Sequence, residues 1–399
     1  TLPYQMNVRV VEARAALPPD FRAALQRIEG NPEPWGASPE YPFTTNAVAA
    51  GIVPQPGELS GRGGVLVLDP AQNNSFRLIN RALAGGGRLR YAPATDERGG
   101  RWLVTGVNAA RAQEWARELW VRGERVGRAP ASVPAPTRIA LYKSRPGVMD
   151  EGWTEWLLDT HGFRYTLVGP EDLEAGNLGD RFDVLVMASQ GLSSGGRGGR
   201  GGGGGGGGAG GRGGGPGSTS TSDSARVSAV AAFVRGGGTV VAWNQGTTSL
   251  ISALRLPVRN VVQGLARREF FTGGSIMRVL VDAAHPVMAG MPDTADVMVF
   301  NSPVFSTEAG FEGAVLAKYP ADTTPLRSGF LNGEQHMRGR AAAVDVKLGD
   351  GHVVLIAFQP QWRGQPTGTF RVVFNSLFYA REVSARGTGT PGFWTTPAR

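Results

Sequence analysis

Three near-continuous apolar runs constrain this chain more than any other feature. They are Ile139-Ala140-Leu141-Tyr142, Val184-Leu185-Val186-Met187 within the run Phe182–Met187, and Thr239-Val240-Val241-Ala242-Trp243. A strand that alternates apolar and polar residues leaves one face in water, whereas a strand apolar at successive positions needs cover on both. Helical patterns lie between the runs: Glu151–Thr160, with Trp153, Trp156 and Leu157 at helical spacing, and Val227–Arg235, stopped by Gly236-Gly237-Gly238. Tyr165–Val168 supplies a further strand. The class predicted is α/β, a doubly wound parallel sheet spanning 137–381. Later strands are expected at Ile276–Val281, Gly313–Lys318, Ala341–Val346 and His352–Ala357, with a closing helix over Thr369–Phe378.

At about 150 residues per domain, 399 residues suggest two or three domains. Residues 1–58 read as an opening strand (Met6–Val11), a short helix (Asp20–Ile28) and a connector rich in proline. Residues 59–129 read as a small accessory α/β domain ordered β-α-β-β-α. Its strands are Val65–Leu68, Arg88–Tyr91 and Trp102–Val104. One helix, Ser75–Ala84, puts Phe76, Ile79, Asn80 and Leu83 on one face, and the other, Ala112–Val121, carries Trp115, Leu119 and Trp120. Ala129–Pro136 is a linker, and 382–399 a flexible tail. Within the large domain, Gly195–Gly217 holds eighteen glycines and extends through a Ser/Thr run to residue 224. A segment with no side chains to bury reads as a disordered insert. Its Arg197, Arg200 and Arg212 lack interleaved aromatics, so nucleic acid is not an expected partner.

Composition removes much familiar chemistry. There is no Cys, hence no disulfide, thiolate metal site or cysteine nucleophile. The four His, at 161, 285, 336 and 352, have no metal-ligand spacing, so no metal site is expected. The net charge of +8 is spread along the chain as Arg and reads as compositional bias. No apolar run approaches the roughly 18 residues of a membrane span, and Thr1–Met6 shows no signal-peptide pattern. Without an initiator Met, the sequence is expected to start in mid-protein, as a processed or truncated piece would.

In an open α/β sheet, ligands bind beyond the carboxyl ends of the strands. The residues emerging there are Lys143, Asp150 and Glu151, then Gln190, then Asn244 and Gln245, and later Asn301, Gln359, Gln361 and Arg363. Such an amide-rich rim suits a hydrogen-bonded small-molecule, peptide or glycan-like ligand; the alternative is polar loop tips capping their own backbone. A nucleophile would stand at a sharp strand-to-helix elbow, but Trp243-Asn244-Gln245-Gly246-Thr247 offers an amide there. Ser189, Ser193 and Ser194 follow a strand, yet no spacing selects a His partner, and no phosphate-binding loop is present. No catalytic residue is assigned.

Several segments together resemble a known arrangement. They are Arg138–Tyr142, Met149–Thr154 with Trp156-Leu157-Leu158, Ala175–Leu178, Arg181–Val184, Leu256–Val261, His285–Pro292, and Gln359–Gln365 before Thr369-Phe370. They look like a class I glutamine-amidotransferase-like domain of flavodoxin type. The version they resemble lies in the C-terminal, non-peptidase region of bacterial zinc carboxypeptidases of the carboxypeptidase A type. Thr1–Met6 and Asp69–Asn80 resemble the stretch after the peptidase domain, so the likeness covers most of 1–381. It implies an exported, extracytoplasmic parent whose zinc is held only in a peptidase domain absent from this chain. The amidotransferase-type Cys is missing, with Asn244-Gln245 at the matching elbow. The expected role is a non-catalytic accessory or binding region that docks a peptidase domain, self-associates, or binds a small-molecule, peptide or cell-surface ligand. Two alternatives stand beside it: part of an active metallocarboxypeptidase whose catalytic domain is elsewhere, and a self-assembling structural protein.

Overall fold

The computed structural model describes residues 2–6, 56–95, 99–192, 221–384 and 389–397. The small unit comprises β1 (Glu58–Gly61), β2 (Val65–Leu68), α1 (Asn73–Ala84), β3 (Arg88–Ala92), β4 (Arg101–Thr105), α2 (Ala109–Glu118), β5 (Arg122–Val126) and β6 (Val133–Pro134). Its sheet runs β1-β5-β2-β4-β3-β6 and is antiparallel except for β1–β5. The Asn108 side chain caps α2 by accepting from the backbone N–H of Ala110 and Arg111, at 2.9 and 3.2 Å.

The large sheet begins with β7 (Ile139–Tyr142), α3 (Met149–Thr160), β8 (Thr166–Val168), β9 (Val184–Met187), α4 (Thr221–Arg235), β10 (Thr239–Trp243) and α5 (Gln245–Leu254). It continues with β11 (Ser275–Val281), β12 (Thr294–Val299), β13 (Gly313–Lys318), β14 (Ala341–Leu348) and β15 (Gly351–Ile356), before α6 (Phe370–Leu377). The strand order is β12-β11-β13-β14-β15-β10-β9-β7-β8.

The five strands from β15 to β8 are parallel, and both faces are buried as the apolar runs require. Ile139, Leu141, Val184, Val186 and Val241 enter one core, shared with α3 and α6. Ala140, Leu185, Met187, Val240 and Ala242 enter the other, against α4 and α5. The expectation of a wholly parallel sheet ends at β15. Leu348 and Gly351 pair across Gly349-Asp350, a two-residue hairpin with Gly349 at φ 65, and β14, β13, β11 and β12 follow antiparallel. The protein is therefore α/β with a large mixed sheet.

The two sheets share one core. Phe374 of α6 lies 5.0 Å from Phe76 of α1 and 5.2 Å from Phe163, ring centre to ring centre, and Phe378 lies 5.4 Å from Trp102. Trp102 donates its indole N–H to Asn375 Oδ1 at 2.9 Å, and Asn375 Nδ2 donates to Ala289 O at 2.8 Å.

Several expectations need correction. The span 129–136 is more than a linker, because Val133 and Pro134 pair with β3. The polar strands Glu58–Gly61 and Arg122–Val126 carry too little apolar signal to have been read. Trp120 lies beyond the end of α2, exposed at φ 55, and Trp156 projects from α3 while Leu157 and Leu158 face the core. The tail is pinned where it is described, since Thr390 donates to the Asp282 carboxylate through both N and Oγ1, and the Trp394 indole donates to Thr307 Oγ1. The Met6–Val11 strand beyond Met6, the Asp20–Ile28 helix and the glycine tract lie outside the described residues.

Because Phe374 joins both sheets, Phe374→Ala should destabilise by about 3–5 kcal/mol. Urea unfolding followed by tryptophan fluorescence and by far-UV circular dichroism should give one shared transition for the wild type, at lower urea in the variant.

Candidate functional site

The site forms where β7, β9, β10 and β15 end at one edge. After β10 the chain turns sharply into α5 through Asn244, at φ 48 and ψ −129. Gly246 permits the turn: a Cβ there would stand 2.8 Å from Ala188 O. This is elbow geometry, a strained strand-to-helix corner flanked by small residues. Of the five non-glycine residues with φ between 46 and 55 among the described residues, three (Asn244, Asn301 and Arg363) belong to this rim. Backbone strain of about 1–3 kcal/mol per residue is characteristic of sites that position groups.

Asp150 and Glu151 open α3 and are both buried. The Asp150 carboxylate accepts a short hydrogen bond from Ser189 Oγ and one from Gln359 Nε2 at 3.5 Å. Gln361 Nε2 donates to Asp150 O at 3.0 Å and to Thr154 Oγ1 at 3.2 Å. Glu151 accepts from Gln190 Nε2 at 3.3 Å and pairs with Lys143 Nζ at 3.3 Å. Gln190 Nε2 also donates to Tyr142 O at 3.1 Å. At the outer rim, Gln245 Nε2 donates to Asn301 O at 2.6 Å. Arg363 lies over the Trp362 ring, which stacks on Phe300 with ring centres 6.0 Å apart. Gly364 packs so closely on Trp156 that a Cβ would be 2.7 Å from its ring.

The ten residues expected at the rim therefore fall at the strand-end edge, in an inner group around Asp150 and Glu151 and an outer group around Gln245 and Arg363. Sequence reading missed Thr154 and the aromatic members Trp156 and Phe300. The signal for Thr154 was its position one helical turn after Asp150.

The inner group presents acceptors. Gln190 Oε1, Asn244 Oδ1, Gln359 Oε1 and Gln361 Oε1 are buried with no protein donor. The orientations of Gln190 and Gln361 are fixed chemically, because their amide nitrogens face backbone carbonyls that can only accept. Burial pushes the Asp150 carboxyl up from its ordinary value, against the hydrogen bonds from Ser189 and Gln359. Burial also raises Glu151, which Lys143 opposes. No histidine belongs to the group.

A second polar cluster lies among the antiparallel strands, where sequence reading saw only scattered histidines. Asp345 of β14 accepts from Tyr379 Oη at 2.6 Å and from His352 Nδ1 at 2.8 Å, and His285 Nε2 lies 3.6 Å away. His285 Nδ1 accepts from Val287 N at 3.3 Å, which ties the ring to the turn that follows it, and Nε2 faces Asp345. Burial alone would raise the Asp345 carboxyl, but the hydrogen bonds and coulombic pull of the two imidazoles hold it well below the usual carboxylate range. Among the described residues no cluster of three or more His, Cys, Asp or Glu has metal-binding geometry.

No family model and no curated protein matches the sequence. Solved structures with a similar course of chain include a β-galactosidase from Bacillus circulans sp. alkalophilus, at 13% identity over 61% of this chain and 31% of that one, TM-score 0.36. A Thermoplasma acidophilum protein assigned as one component of GMP synthase is 10% identical over 60% of this chain and 92% of its own, TM-score 0.37. A ThuA-like protein from Bacteroides uniformis is 13% identical over 65% and 97%, TM-score 0.35. The chain spans about a third of the β-galactosidase, and none of the three is a carboxypeptidase.

Asp345 and Asp150 should respond to pH in opposite senses. Asp345, lowered on folding, contributes stability that is present above its unfolded value of 3.8 and lost as pH falls through the folded one. Asp345→Asn should cost about 3 kcal/mol near neutrality and flatten the acid limb of the stability curve. Asp150, raised on folding, costs nothing below 3.8 and its full penalty above its folded value. Asp150→Asn should therefore raise the melting temperature at pH 7 and leave it unchanged at pH 3. Thermal melts across pH 2–8 check both.

Proposed function

We propose that this chain is a non-catalytic accessory and binding region of a zinc-carboxypeptidase-like exported protein, built on an amidotransferase-like domain that lacks its nucleophile. The observation that carries the reading is Asn244 at the elbow. An amide there can neither attack a carbonyl nor be activated to do so. The adjoining end of β15 leads to Gln359 and Gln361, which cannot act as general bases at neutral pH. Ser189 donates to Asp150 in place of a histidine, so its oxygen is held as a donor with no imidazole to accept its proton.

The ligand is a polyhydroxylated, glycan-like molecule. Carboxylates and orphaned amide oxygens call for many donors, and hydroxyl groups supply them. Trp362, Phe300 and Trp156 line the outer rim with ring faces on which the apolar face of a sugar can rest. Lys143, Asp150, Glu151, Gln190, Asn244, Gln245, Asn301, Gln361 and Arg363 would form the hydrogen-bonding rim. The link to a peptidase parent rests on the sequence resemblance.

Assays with ester, amide and glutamine substrates should show no turnover above that of Asn244→Ala. Calorimetric titration with soluble bacterial cell-wall oligosaccharides should show binding that weakens about tenfold in Glu151→Gln and in Trp156→Ala. Binding unchanged in both variants would refute the strand-end site. Peptide mapping of the native protein should find sequence upstream of Thr1 carrying an H-x-x-E pair; a native N-terminus at Thr1 would refute the peptidase parent.

A further inference from the structure

A cavity of about 680 Å³ opens at the seam between the two sheets, at the end of β7 opposite Lys143. Its apolar wall is Leu83, Leu89, Ile139, Phe163 and Phe378. The charged residues lining it are Arg88, Arg90 and Arg164, with no Asp or Glu beside them. Arg90 is occupied, with its Nε donating to Ser132 Oγ at 3.0 Å. Arg88 and Arg164 are exposed and come from opposite units, and neither side chain has a hydrogen-bond or ion-pair partner among the described residues. The wall between them is fixed, because Asn80 Nδ2 of α1 donates to His161 O at the end of α3 at 2.9 Å.

We infer that this cavity is a binding site for an amphiphilic organic anion, one carboxylate or phosphate head on a single apolar body. Two unpaired guanidinium groups at the mouth suit an anionic head, which each can hold through paired N–H donors. The aromatic and aliphatic wall takes the body, and the volume is that of a small-molecule site. Among the described lining residues there is no carboxylate, which disfavours a cationic ligand. The site lies apart from the strand-end rim and does not depend on the function proposed for it.

The test is calorimetric titration of the full chain with decanoate, decyl phosphate and 1-decanol. One anion should bind per chain, with decanol at least about tenfold weaker than the better of the two acids. Arg88→Ala with Arg164→Ala removes two exposed side chains and should leave the melting temperature unchanged while weakening the anion about tenfold or more. Thr137→Trp, at an exposed lining position, should block the cavity and abolish binding with both arginines in place. The preferred head distinguishes a carboxylate from a phosphate ligand. Failure of both acids to bind at millimolar concentration, or affinity within about twofold of wild type in the double variant, would overturn the site.

Discussion

The short helix α6 has almost no exposed face, and both units depend on that. Phe370, Val372, Val373, Phe374, Asn375, Ser376 and Leu377 are all buried, so the helix cannot rest on one surface and must be enclosed between two. Phe374 meets Phe76 and Phe163, while Asn375 bonds Trp102 on one side and the carbonyls of Val287 and Ala289 on the other. A buried amide with both ends satisfied fixes the angle at which the small sheet docks, which apolar contacts alone would leave free to slide. The helix also connects the strand-end rim to the seam cavity. Thr369, just before it, donates to Pro360 O between Gln359 and Gln361, and Phe378, just after it, lines the seam cavity.

Asp150 and Asp345 show how the large sheet treats buried charge in two ways. Asp345 lies among antiparallel strands with His285, His352 and Tyr379 around it, so its desolvation is outweighed and ionisation suits the fold. Asp150 has only a hydroxyl and a primary amide, and burial keeps its carboxyl raised. A fold that needed only a filled position at the start of α3 would gain from a neutral residue there. A carboxylate left under-compensated at the ends of parallel strands is therefore a cost in stability that Asp345 does not carry.

The parallel half was legible because its runs are long, apolar and bounded by helices, and the β10 strand was placed residue for residue. The strand-end rim followed from that, since parallel strands deliver their carboxyl ends to one edge whatever lies on them. Three features escaped for identifiable reasons. Arg122-Gly123-Glu124-Arg125-Val126 is a strand through backbone pairing to β1 and β2 and has no apolar alternation to betray it. His285, Asp345 and His352 come from separate segments, and nothing in their spacing says that β14 and β15 will pair to bring them together. Trp156 satisfies the helical period as a core residue would, yet it points outward because Asp150, Thr154, Leu157 and Leu158 occupy the inward face.

The elbow at Asn244 is held more tightly than a loop that merely ends a strand. A loop tip is free to relax, and Asn244 could leave positive φ for an ordinary turn if nothing held it. It is held on both sides: its N–H donates to Ile356 O at 2.8 Å, and Gly246 sits against Ala188 O with no room for a side chain. The corner is thus over-determined by the strands beneath it, and Asn244 keeps its positive φ because both sides of the turn are fixed. The same corner would present a nucleophile if the residue were one. With an amide there, Asn244 Oδ1 is a buried acceptor without a protein donor, as are the Oε1 atoms of Gln190, Gln359 and Gln361. The corner thus joins a strained strand-to-helix backbone to a set of buried amide oxygens left without donors.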